Sequence, residues 1–274
     1  MKFQPRIKGI MLVIIGAMLW GISGTVAQYL FQKKDFSPEW LVVIRLLISG
    51  LILLLYAFIK DKQNVWKIWS SKRDSLSLIF FSVLGMLGVQ YTYFAAIKYG
   101  NAATATILQY LSPVIIVCYL AIRRKKIPNS QEIIAVGLAM LGTFFIITKG
   151  NIHSISISKL ALFWGISSAF AAAFYTLQPH SLLNKWGSTL VVGWGMLVGG
   201  VTFSFIHQPW NFTGQWSITS ILTSVLSSVE PLSAAFLSVL WLHIPFGMPE
   251  CLGTVCIIVT IIILSRVKNK KIII

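Results

Sequence analysis

A carboxylate and a guanidinium stand inside long apolar runs of this chain. Glu230 lies near the middle of the run 218–242, and Arg45 lies five residues beyond Trp40 in the run 40–59. An ionised, unpaired carboxylate in hydrocarbon is costly, so Glu230 must face a cavity, find a partner or stay protonated. The chemistry open to it is contact with a substrate amine or the coupling of proton movement. The plainer reading is a structural hydrogen bond at Pro231, where proline removes a backbone donor and frees carbonyls. Arg45 stands about 7–8 Å beyond Trp40 at 1.5 Å per residue. It can snorkel to the interface as an anchor, tie helices together, or meet a substrate carboxylate. A pairing of Arg45 with Glu230 stays open.

Uncharged polar groups occupy other apolar runs at helical spacing. Gln90 and Tyr93 are three residues apart and share a helix face, as do Gln109 and Ser112. Polar groups within a membrane helix turn toward the protein interior. Aromatic faces with a few amides suit amphipathic organic solutes, including cationic ones; the alternative is hydrogen bonding between helices. Pro113 and Pro231 interrupt the runs that hold Ser112 and Glu230, in equivalent positions of the two halves, and mark either a binding region or ordinary kinks. Among the inner aromatics, Trp20 is the candidate cavity residue, whereas Trp164, Tyr175 and Trp194 read as packing or interface anchors. Gly195 and Gly199 form a G-x-x-x-G close-packing signal.

Other chemistries find no support. Cys118, Cys251 and Cys256 lie in apolar runs without metal-ligand spacing. The four histidines, His153, His180, His207 and His243, lie in or beside loops. No P-loop, H-E-x-x-H or G-x-S-x-G occurs. Neither an enzyme, a metal site nor a cofactor is expected, and any energy source would be an ion or solute gradient.

The elements that hold these residues are membrane spans. Hydrophobic types make up 56% of the 274 residues and charged types 11%, with a mean hydropathy of +0.80. A soluble chain carries about 25% charged residues, so this surface must face lipid. Runs long enough to span, about 20 residues each, occur near 9–31, 40–59, 76–97, 101–122, 132–149, 159–178, 188–206, 218–242 and 250–265. The expected fold is an all-α polytopic membrane bundle. The net charge of +16 sits in short loops, the pattern of topogenic rather than nucleic-acid-binding charge. The N-terminal tail, the second loop (Lys60 to Arg73) and the fourth (Arg123 to Lys126) are the basic ones, which predicts a cytoplasmic N-terminus.

Nine spans leave a contradiction: the basic tail, Arg266 to Lys271, would lie outside. One more helix before residue 218 would reverse this and place 17 of the 23 basic residues in the cytoplasm. Internal repetition leads to the same place. Ser37 to Leu41 pairs with Ser188 to Val192, and Thr25 with Thr176, at an offset of 151; Leu111-Ser112-Pro113 pairs with Val229-Glu230-Pro231 at 118. The offsets differ by 33 residues, one spanning helix plus its connection. The halves are therefore read as 1–150 with five helices and 151–274 with four. The counterpart of the third helix is missing, and the gap falls between Phe212 and Thr223.

Taken in order, these features resemble the drug/metabolite transporter superfamily, specifically the EamA-type ten-helix permeases. The matching residues are Ala17 to Gly21, Arg45, Asn101-Ala102-Ala103 leading to Leu111-Ser112-Pro113, then Ser227 to Leu232 with Ala234-Ala235, and Gly253. The resemblance implies two inverted repeats around a central cavity built mainly from helices one, three, four, six, eight and nine. It also implies alternating access and transport of metabolites, often amino acids or toxic analogues. The Leu-Gly-Glu that often follows the ninth helix is Leu242-His243-Ile244 here. The expectation is a secondary carrier of amino-acid-like or amphipathic solutes, acting as an exporter in the inner or plasma membrane, with room for a homodimer. Its alternative is a transport-inactive paralogue or membrane interaction protein left by the loss of a helix.

Overall fold

The computed structural model describes residues 23–60, 65–125, 130–148 and 157–210. Trp20, Glu230 and Pro231, the spans expected at 218–242 and 250–265, and the proposed gap lie outside the described residues. The first run is represented by helical residues 23–33, here α1. It is followed by α2 (Pro38–Lys60), a short turn of helix (Lys67–Ser70), α3 (Lys72–Phe80), a wider π-type segment (Phe81–Leu87) and α4 (Gly88–Tyr99). Then come α5 (Ala102–Gln109), α6 (Ser112–Arg124), α7 (Ser130–Thr148), α8 (Lys159–Leu177), α9 (His180–Trp186) and α10 (Ser188–Ser204). The chain is an all-α polytopic bundle, with no strand among the described residues. Among the described residues, four stretches are long and apolar enough to cross a membrane: Pro38–Ile59, Lys72–Tyr99, Ala102–Arg123 and Lys159–Leu177.

Side-chain caps set where these helices begin. Oγ of Ser37 accepts from the Trp40 amide at 3.1 Å, Oδ1 of Asn101 from Thr104 at 2.8 Å, and Oγ of Ser158 from Ala161 at 3.1 Å. Each satisfies a backbone donor that the first turn leaves unpaired.

Contacts between connections sort them onto two faces. On one, Nε2 of Gln32 donates to the Gly100 carbonyl (3.0 Å), the Ser158 hydroxyl to the Tyr99 carbonyl (2.7 Å), and the Trp40 indole to the Pro209 carbonyl (2.8 Å). On the other, Lys185 Nζ pairs with Asp74 at 2.6 Å, the Trp186 indole donates to the same carboxylate at 3.2 Å, and Gln178 donates to the Ser77 carbonyl at 2.8 Å. Successive connections alternate between faces, as antiparallel spans require. Lys72, Arg73 and Lys185 share one face, while Lys33, Lys98 and Lys159 lie at the opposite helix ends.

The surface is turned inside out relative to a soluble protein. Leu51, Ile52, Leu55, Ile59, Ile122, Phe163 and Phe170 are exposed, whereas Ser23, Thr25, Gln28, Ser82, Thr106 and Ser168 are buried. Lipid accepts the first group, and hydrogen bonding inside the bundle accounts for the second. Glycines let the helices come close. A Cβ on Gly50 of α2 would meet the Leu197 backbone nitrogen of α10 at 2.6 Å. On α10, a Cβ on Gly195 would meet the Phe81 ring at 2.7 Å, and one on Gly199 the Ser82 carbonyl at 2.8 Å. The G-x-x-x-G of α10 is thus the surface against which the π segment packs.

Candidate functional site

The buried polar groups converge from several helices. From α1 comes Gln28, 2% exposed, whose Oε1 accepts from the Ala102 amide at 2.8 Å and whose Nε2 donates to Gln32 at 3.1 Å. With the Gln32 bond to Gly100 this clasps α1 to the tight connection before α5. The Tyr93 phenol of α4 and the Thr106 hydroxyl of α5 share a hydrogen bond of 2.8 Å. A Cβ on Gly24 would lie 2.7 Å from that phenol oxygen, so only glycine lets α1 run this close. A double-mutant cycle of Tyr93→Phe with Thr106→Val is expected to give a coupling of about 0.5–1.5 kcal/mol in thermal unfolding of the purified protein. A coupling of zero would show that the bond is not formed in solution.

Deeper in the bundle, Nε2 of Gln109 donates to the Ser168 hydroxyl at 2.8 Å, joining α5 to α8. Beyond Gln109 the fourth span breaks. Tyr110 caps α5, and α6 restarts at Ser112 with Pro113 in its first turn, where its missing N–H is tolerated. Ser112 is half-buried.

Arg45 is 5% exposed, and its Cζ sits 5.4 Å from the centre of the Phe94 ring. It neither snorkels outward nor forms an ion pair among the described residues, and its Nε is buried with no hydrogen-bond partner. The cation–π contact returns about 0.5–2 kcal/mol, short of the several kcal/mol that burying an ion costs. Gln90, 8% exposed, precedes Phe94 by one turn on the same face of α4. Toward the Trp40 end, a cavity of ≈ 320 Å³ is lined by Ser37, Glu39, Trp40, Ile206, His207 and Gln208. The Tyr91 hydroxyl donates to Glu39 beside it at 3.3 Å.

Of the residues singled out from sequence, Gln90, Tyr93, Gln109 and Arg45 are all buried in the bundle. Gln28, Thr106 and Ser168 were missed. Gln28 follows Thr25 by three residues on one face of α1, a pattern that could have revealed it. Thr106 and Ser168 sit among alanines and serines with no distinguishing spacing.

Residues 7–148, just over half of the chain, match the EamA-like transporter family. The chain belongs to that family. A relative from Salmonella typhimurium (strain LT2), named an uncharacterized inner membrane transporter, YicL, is 41% identical over 292 positions, covering 96% of this chain and 97% of its own. The uncharacterized transporter YwfM of Bacillus subtilis (strain 168) is 23% identical, with 94% of each chain covered. One solved crystal structure superposes on 92% of the chain and 99% of its own length with a TM-score of 0.58. At 13% identity that likeness shows the fold alone. In this EamA-family protein, Gln28, Arg45, Gln90, Tyr93, Thr106 and Gln109 lie within the matched region, whereas Ser168, His207 and Gln208 lie beyond it.

Proposed function

We propose that this EamA-family transporter is a secondary carrier that moves small amino-acid-like or amphipathic organic solutes by alternating access, in the direction of export. The observation that carries the reading is the set of polar side chains from α1, α2, α4, α5 and α8 turned into a bundle whose exterior is apolar. Gln28 and Gln109 are used in bonds between elements, but the buried guanidinium of Arg45 has no such use among the described residues. The basic loop with Lys72 and Arg73 makes its face the cytoplasmic one, which puts the N-terminus in the cytoplasm. We assign the protein to the inner membrane by analogy with YicL, and a homodimer is compatible with the reading.

A second reading has its own support. Ninety-six per cent of the 274 residues is about 263, and the alignment with YicL runs over 292 positions. About 29 positions of the relative then have no counterpart here, a total that, gathered at one place, equals one spanning helix with its connection. This supports the reading of 1–150 and 151–274 as a five-helix and a four-helix repeat, and a chain so shortened could persist as a non-transporting membrane partner. Reconstituting this chain, unaltered, into vesicles and following amino acids, amines and nucleosides decides between them. The carrier reading expects saturable flux of at least one class above empty vesicles. No flux in any class sinks it in favour of the second reading.

A further inference from the structure

We infer that Arg45 and Gln90 form an anion subsite inside the bundle, and that the transported solute docks there by a carboxylate. This deepens the carrier reading and rests on it.

Arg45 keeps its charge at any physiological pH. The Phe94 ring centre lies 5.4 Å from Cζ, and a planar acceptor can engage the guanidinium through its N–H donors. Among the described residues no carboxylate pairs with it, and Nε is buried with its donor unused. The Gln90 side chain, 8% exposed, makes no hydrogen bond among the described residues. It lies one turn before Phe94 on the same face of α4. Arg45, with its buried and unused Nε donor, and Gln90, one helical turn before the Phe94 that Arg45 contacts, form a half-built site. A carboxylate completes it, because guanidinium and carboxylate match in plane and spacing. An amine would bring a second positive charge beside the guanidinium. The Tyr93 phenol, within electrostatic reach of Arg45, is already bonded to Thr106 and serves as a fixed wall.

The test uses three probes with the same branched chain: leucine, 4-methylpentanoate and 3-methylbutylamine. Binding to the full chain in lipid nanodiscs is measured by calorimetry. The two carboxylates are expected to bind at least about tenfold tighter than the amine. Arg45→Gln is expected to remove that difference and Arg45→Lys to keep part of it. Gln90→Leu, which leaves the charge in place, is expected to weaken the carboxylates a few-fold and leave the amine unchanged. Circular dichroism identifies any variant that fails to fold, and Gln90→Leu then carries the test. The inference is overturned if the amine binds as tightly as the carboxylates, if Arg45→Gln binds them undiminished, or if none of the three binds. It is also overturned if Glu230→Gln restores an Arg45→Gln defect, because Arg45 would then serve as an internal ion-pair partner. Flux separates this from the carrier reading. Amine transport independent of Arg45 removes the subsite and leaves the carrier; carboxylate binding without flux leaves the subsite and removes the carrier.

Discussion

Replacing Gly165 with alanine is expected to lower the stability of the purified protein by about 1–3 kcal/mol, whereas Gly137→Ala is expected to be neutral or stabilising. The chemical change is the same, one methyl group within a helix. At Gly165 of α8 the new Cβ would lie 2.9 Å from the Cβ of Leu108 and closer still to its Cδ1. The Cδ1 contact can be relieved by rotating the leucine, but its Cβ is fixed by the backbone of α5. The helices must therefore separate, and the neighbouring Gln109–Ser168 bond is strained with them. At Gly137 of α7 nothing stands within 4 Å of the new methyl, so the backbone-entropy gain, about 0.5–1 kcal/mol, is unopposed. Thermal midpoints in detergent measure both. Equal shifts for the two variants would mean that α5 and α8 do not pack as described.

The second large effect concerns movement. Gln109 belongs to the first half of the chain and Ser168 to the second, and their side chains meet at 2.8 Å. Alternating access in inverted-repeat carriers rocks one half against the other. Cysteines at both positions, in a background lacking Cys118, Cys251 and Cys256, can be bridged by a short bis-methanethiosulfonate reagent, each arm forming a disulfide as methanesulfinate leaves, and the bridge is cleaved by a reductant. Bridging is expected to cut solute flux by about tenfold or more, and cleavage of the reagent to restore it. Full bridging with undiminished flux would show that the two halves need not separate at this level.

Much of the architecture was legible because the bilayer dictates element length. The runs 40–59, 76–97, 101–122 and 159–178 correspond to Pro38–Lys60, Lys72–Tyr99, Ala102–Arg124 and Lys159–Leu177 within a few residues. The π segment Phe81–Leu87 was not legible, because its packing depends on Gly195 and Gly199 more than a hundred residues away. The helix His180–Trp186 was hidden for a different reason: seven residues between two spans carry no periodic signal. Burial of Gln90, Tyr93 and Gln109 followed from the rule that polar groups turn inward in a membrane helix. The Gln28 clasp on Ala102 could not be read, since 74 residues separate the partners. For Arg45, snorkelling and burial differ only by what lies beside it, and that is Phe94 on another helix.

Counterflow in vesicles tests the carrier account most directly. Vesicles holding this chain are loaded with an unlabelled solute identified by the flux screen and diluted into a trace of the same solute in labelled form. An alternating-access carrier predicts a transient accumulation of label above its external concentration, as the outward movement of unlabelled solute returns the site to face the label. Label that only equilibrates, or that fails to enter at all, would contradict the account.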